Sequence, residues 1–312
     1  MTDPHSLEGI LSKGEPGGSE PGPAAKERSR SLTADAIYEL VRNPVFWVAG
    51  TLVVIVLTMA VVPGLWANQD PNVSAECDIQ LAQRSPSWDR PFGYTTQGCS
   101  MWGAVVYGTR NSVFVAIAGT AAIAVIAITL GVIAGFYGRW IDSVLSRITD
   151  IFFGLPFILG AIILLTILTT RTVWTISAVI TVFLWPQMTR IMRGATIATK
   201  QRDFVDAARA VGASNFRIIR KHIIPNSLAP VIVIGTINLG QLIAIESTLT
   251  FLGIGFQPPT VSWGLLIQAG AGPALGGTTH LLWIPCAFVV IATLSFILLG
   301  DVLRDALDPR MR

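Results

Sequence analysis

The chain has 312 residues, 52% of them hydrophobic and only 13% charged, with a mean hydropathy of +0.60. That balance excludes a soluble domain of ordinary composition and points to an all-α polytopic membrane protein. The net charge of +3 is too small and too dispersed for nucleic acid as a partner, and three cysteines without zinc or haem spacing give no metal or cofactor site.

Residues 1–35 include GEPGGSEPGPAAKERSRS and bury too little apolar surface to fold alone, so a disordered tail is expected there. No apolar core follows the start as a secretory signal would require. Residues 34–42, ADAIYELVR, predict a short interfacial helix with Ile37, Leu40 and Val41 against lipid.

Apolar windows able to cross about 30 Å of hydrocarbon run over residues 44–66, 111–137, 144–168, 173–192, 228–250 and 281–300. Six transmembrane helices place both termini on one side. All but Arg84, Arg90, Arg110 and Arg171 of the 22 Lys and Arg fall on that side, which is therefore expected to be cytoplasmic, in the plasma (inner) membrane. The expected division is a first helix with its outer loop over 36–110, a five-helix core over 111–303 and a short cytoplasmic tail over 304–312.

The outer loop, 67–109, contains Cys77 and Cys99 in what the topology makes an oxidising compartment. A disulfide between them is expected; free thiols are the alternative that spacing alone leaves open. Cys286 falls in the last window as a small packing residue. Gly131 and Gly135 form a small-xxx-small face for close helix approach. Pro156 and Pro186 remove backbone donors, so the third and fourth helices are expected to bend or break there.

Between the fourth and fifth windows lies a polar, basic island, 201–226, whose core reads DFVDAARAVGASNFRIIRKHIIPN. Phe204, Ala208 and Val211 recur at helical spacing and predict one apolar face. Asp206 suits a helix N-terminus, Ala207 and Ala208 leave room for a partner's backbone, and Gly212 permits a left-handed turn. A second helix restarts from Ser214 or Asn215, with Phe216, Ile219 and Ile223 as its return face, and Pro225 is expected to stop it. An ordinary basic loop obeying the positive-inside rule is the alternative.

The fifth window is the most polar, with Asn238, Gln241 and Glu246. Asn238 and Gln241 are expected near the pathway; Glu246 belongs either to its outer mouth or to a structural hydrogen bond. From Ser247 to Gly300 no Lys, Arg, Asp or Glu occurs, so this stretch is expected to hug or re-enter the assembly, with Phe251, Trp263 and Trp283 anchoring it at the interface.

The island resembles the EAA loop of ABC importer permeases: Asp206, Ala207, Ala208, Gly212 and Pro225 match the motif, with Asp206 in place of Glu and His222 in place of Ile. With FLGIGFQPPTVSWG at 251–264, GDVLRDALDPRMR at 300–312 and GVIAGFYGRWIDSVLSRITDIFFGLP at 131–156, the chain is similar to the dipeptide and oligopeptide branch, the OppC/DppC-type permeases, over roughly 90–312. RPFGYTTQGCSMWG at 90–103 departs from the branch's histidine-led pattern, so contacts on the outer face transfer least.

The resemblance implies a type I ABC importer permease fold with a cytoplasmic coupling helix. It also implies a second, similar permease subunit, two ATP-binding subunits or domains and an extracytoplasmic substrate-binding protein. No G-x-x-x-x-G-K-[ST] loop occurs, so ATP hydrolysis is assigned to partners and the chain is not expected to be an enzyme. Coupling is assigned to Phe204, Asp206, Ala207, Ala208, Val211, Gly212, Phe216 and Pro225. Relatives that carry nickel complexes or haem keep those solutes open beside peptides. An ion-coupled secondary transporter using Glu246 and Asp150, and a membrane scaffold that transports nothing, are readings from other classes.

Overall fold

The computed structural model describes residues 32–73 and 77–307, and its regular elements are helices, with one isolated bridge between Tyr94 and Ser100. The expected tail over residues 1–31 and the last residues, 308–312, lie outside the described residues. Helix α1, Leu32–Arg42, leads into α2, Pro44–Val61. Asn43 caps α2 by accepting the Val45 N–H at 2.9 Å, and Pro44 occupies the first turn, where a missing N–H costs nothing. Ile37 and Val41 of α1 are exposed and Leu40 is half-buried.

Helix α3, Met101–Tyr137, begins ten residues before the expected window, at a Ser100 cap. Met101, Val105 and Val106 are fully buried in protein, so the helix continues although Arg110 and Asn111 end the apolar run. Hydropathy marks what lipid tolerates; it says little about where a helix packed inside protein ends. Its 37 residues span about 55 Å at 1.5 Å per residue.

The third expected span is broken. Helices α4, Arg139–Gly154, and α5, Phe157–Ile167, meet at 87° around Leu155 and Pro156. Pro156 has no N–H to carry the ladder forward, and the residue before a proline is driven to extended backbone, as Leu155 is. Pro186, in contrast, sits inside an uninterrupted α6, Val173–Lys200.

A short α7, Asp203–Ala210, and a helical run made of α8, Asn215–Ile218, a π turn, Ile219–Ile223, and α9, Ile224–Ser227, follow. Then come α10, Ala229–Phe251, α11, Trp263–Leu275, and α12, His280–Leu307. Residues 304–307, expected in a tail, complete the last turn of α12. Among the described residues four helices, α2, α3, α10 and α12, are long and apolar enough to cross a membrane, and the bent α4–α5 pair makes a fifth candidate. The second half of α6 carries Pro186, Gln187, Arg190 and Arg193, which dilute its apolarity below that of the other spans.

Helix α3 packs along α6, and α10 lies against α3 and α12, with α11 on α12. Ile123 and Ala127 of α3, Ile180 and Met188 of α6 and Leu242 of α10 are buried in one cluster. Exposed apolar residues such as Val125, Ile163 and Trp174 cover the outside, so this core gains little from leaving the surrounding solvent if that solvent is lipid. Close packing holds such a bundle instead. A Cβ on Gly131 would lie 2.8 Å from the Met192 Cβ, and one on Gly135 2.7 Å from the Thr196 Cβ, so the expected close-approach face is where α3 meets α6.

At the other end, Cys77 and Cys99 form a disulfide that closes the loop before α3. The Trp263 side chain, expected at the interface, is buried and donates from Nε1 to the Val105 carbonyl at 3.0 Å, whereas Phe251 and Trp283 are exposed. Its indole has a main-chain acceptor inside the bundle and no need of the interface.

Candidate functional site

The basic island folds as a knob. Asp203 and Asp206 lie in the first turn of α7 and Arg209 in its last, an arrangement that complements the helix dipole, and Arg209 pairs with Asp206 at 3.2 Å. The helix ends in a six-to-one and five-to-two closure: the Ala213 N–H reaches the Ala208 carbonyl at 3.0 Å and the Gly212 N–H reaches Arg209 at 2.9 Å. Gly212 has φ +79°, and a Cβ there would meet nothing within 4 Å. Glycine is required at this position by backbone conformation alone. Ser214 restarts the helix by accepting the Arg217 N–H at 3.4 Å.

The knob carries apolar side chains on two faces. Val205 is 0% and Ala208 9% exposed, while Phe204 is 40%, Val211 84% and Phe216 72% exposed. The inward face of α7 is therefore Val205 and Ala208, rotated by about one residue from Phe204, Ala208 and Val211. In the second segment Ile218 and Ile223 are buried, Ile219 partly so, and Phe216 points away. Two faces of similar hydropathy compete here, and only the core that receives one of them selects it. Val205 and Ile218, which the sequence reading left out, join the main cluster.

Pro225 does not end the helix. The π turn just before it shifts the ladder by one, the Ile224 N–H bonding to Ile219, and the chain stays helical through Ser227. The Asn226 side-chain amide donates to the His222 carbonyl at 2.7 Å. Leu228 keeps helical torsions and joins the knob to α10.

The mounting is polar and specific. Ser227 Oγ donates to Thr199 Oγ1 at 2.9 Å, tying the base of the knob to the end of α6. Lys200 donates to the Phe136 carbonyl at the end of α3. Arg193 reaches Asp142 of α4 with two nitrogens, the second at 2.6 Å, and Arg190 pairs with Asp150 beside the Phe153 ring. Asp150 is thus committed to an arginine. The exposed surface that remains combines Phe204, Ala207, Val211 and Phe216 with Arg202, Arg217, Arg220 and Lys221. Such a surface suits an apolar groove rimmed by acidic groups.

Asn238, Gln241 and Glu246 do not converge. Asn238 and Glu246 turn into the bundle and Gln241 is exposed. Glu246 is fully buried; Thr250 Oγ1 donates to it at 2.8 Å and Ser247 at 3.5 Å, with the Ser112 and Ser262 hydroxyls nearby.

Residues 127–312 match the family model described as binding-protein-dependent transport system inner membrane component. The chain is 35% identical over 289 residues to the dipeptide transport system permease protein DppC of Bacillus subtilis (strain 168), covering 93% of this chain and 89% of the relative. It is 32% identical to the oligopeptide transport system permease protein OppC of the same organism, covering 96% and 97%. To the glutathione transport system permease protein GsiD of Pectobacterium atrosepticum it is 32% identical, covering 87% and 89%. Among solved structures, an inward-facing conformation of the MetNI methionine ABC transporter matches with a TM-score of 0.51 at 19% identity, over 66% of this chain and 97% of that one, a likeness of fold.

Proposed function

Because the chain belongs to the binding-protein-dependent transport system inner membrane component family, we propose that it forms half of the translocation pathway of an ATP-driven importer of di- and oligopeptides. It works beside a second permease subunit, two ATP-binding subunits on the cytoplasmic side and an extracytoplasmic binding protein. Both termini and the knob face the cytoplasm in this reading, which the clustering of Lys and Arg supports. The α4–α5 pair and α6 complete six spans.

One observation carries the reading. The knob is fixed inwardly by Val205, Ala208, Ile218 and Ile223, yet it offers Phe204, Val211 and Phe216 outward. Large apolar side chains on a basic loop, in water, are a poor use of sequence unless a partner covers them. Closure of the ATP-binding pair then pushes on α7, and the helical run Asn215–Ser227 passes the displacement to α10 as a rigid body.

Phe216→Ala is the test. Truncating an exposed aromatic anchor should leave membrane level and melting temperature unchanged while lowering binding-protein-stimulated ATP hydrolysis and uptake about tenfold or more. A cysteine placed at Ala207 should cross-link to the ATP-binding subunit. If it forms no cross-link in any nucleotide state, the coupling assignment is wrong.

A further inference from the structure

Three hydroxyls around Glu246 share one arrangement. The Phe256 N–H donates to Thr250 Oγ1 at 3.2 Å, the Trp263 N–H to Ser112 Oγ at 3.3 Å and the Leu265 N–H to Ser262 Oγ at 3.3 Å. Of these hydroxyls, Thr250 Oγ1 donates to the Glu246 carboxyl at 2.8 Å, and those of Ser112 and Ser262 stand beside it. A hydroxyl that accepts a main-chain N–H keeps its own proton free to donate, so a chain runs from the Phe256 N–H through Thr250 Oγ1 to the Glu246 carboxyl.

Glycines allow the segment bearing those N–H groups to press onto α10. A Cβ on Gly255 would lie 2.1 Å from Thr250 Oγ1, and one on Gly264 2.6 Å from the Thr250 Cβ. On its other side the same segment walls a cleft of about 510 Å³, its Pro259 and Thr260, with Gln268 of α11, facing Thr95, Gln97 and Cys99 of the disulfide-closed loop. Helix α10 runs unbroken between this cleft and the knob. From Ser227 to Glu246 the separation is roughly 28 Å at helical rise.

We propose that Glu246 is a positioning residue for translocation: it clamps the cleft wall, residues 255–265, to the end of α10, so that the outer cleft moves with α10 when the knob is displaced. The inference rests on the transport function proposed above. A carboxyl oxygen of Glu246 accepts the Thr250 proton at 2.8 Å. An amide replaces one oxygen by an NH2 group that faces protons already directed at it.

The test uses the whole reconstituted complex with its binding protein, ATP and radiolabelled dialanine in proteoliposomes. Glu246→Gln should lower the dipeptide transported per ATP about tenfold, the scale of one misdirected buried hydrogen bond, while hydrolysis per assembled complex stays within about twofold. Thr250→Val should reproduce the loss, and Thr250→Ser, which keeps the hydroxyl, should restore the ratio. In parallel, Thr260→Cys reports the cleft: its labelling by an impermeant maleimide should differ between nucleotide-free and ATP-trapped complexes, and Glu246→Gln should abolish that difference.

A purely architectural role would lower assembly yield and leave both the ratio and the nucleotide-dependent labelling intact in the complexes that assemble. That result overturns the proposal. Should Glu246→Gln fail to assemble, Thr250→Val with a normal ratio and labelling change overturns it equally. Absence of ATP-driven uptake by the unmodified complex sinks the transport reading itself, and this inference with it, so the two failures are distinguishable.

Discussion

Gly212→Val separates conformation from contact at a single residue. The site has open space around the missing Cβ but φ +79°, a region that costs an L side chain about 1–2 kcal/mol. The expected outcome is a knob that inserts with the bundle but loses its turn: normal membrane level, with uptake reduced at least about fivefold, as a shift of this size in the coupled conformation predicts. Normal uptake would show that the turn is dispensable. Glycine at 212 and serine at 214 were legible in the sequence because cap chemistry is local. Val205 and Ile218 were not, because α7 and α8 each carry two candidate apolar stripes and the buried one is chosen by residues more than ten positions away.

At the scale of elements, α4 is amphipathic and is held to α6 by arginine–aspartate pairs, Arg193 to Asp142 and Arg190 to Asp150. Partial exposure on both sides limits the first pair to a coupling of about 1 kcal/mol. A double-mutant cycle with Arg193→Gln and Asp142→Asn, read by thermal unfolding in detergent, should return that coupling and diminish it at high salt. Additive effects of the two substitutions would show that α4 is held by packing alone. The break between α4 and α5 was announced by Pro156, yet an 87° angle was not, since proline removes a donor without prescribing a direction. Pro225 carries the same lesson in reverse. A π turn precedes it, and the helix goes on through Ser227.

The whole molecule has two ends that differ in how they are held. The knob end is clamped by side chains from α3, α4 and α6, whereas the far end is closed by the Cys77–Cys99 disulfide over 22 positions. A loop of that length is worth about 3 kcal/mol in a chain-entropy account. Reduction, or the double change Cys77→Ser and Cys99→Ser, should therefore speed limited proteolysis between Asp78 and Gly98 several-fold while leaving cleavage at the knob unchanged. Equal rates before and after reduction would mean that packing, not the bridge, closes the loop.

Composition alone determined that this chain belongs in a bilayer, because lipid and protein interior select the same residues and 13% charge cannot hydrate a surface. Short-range chemistry determined the caps, the glycine turn and the position of the break at Pro156, and the ordered motifs pointed to the family that the relatives share. What folding in three dimensions decided is which of several equivalent faces turns inward. It buried Trp263 against Val105, lengthened α3 past its apolar window and brought Ser112 and Ser262 beside Glu246 from separate stretches. No periodicity encodes those choices, since each depends on an acceptor or a cavity supplied by a distant part of the chain.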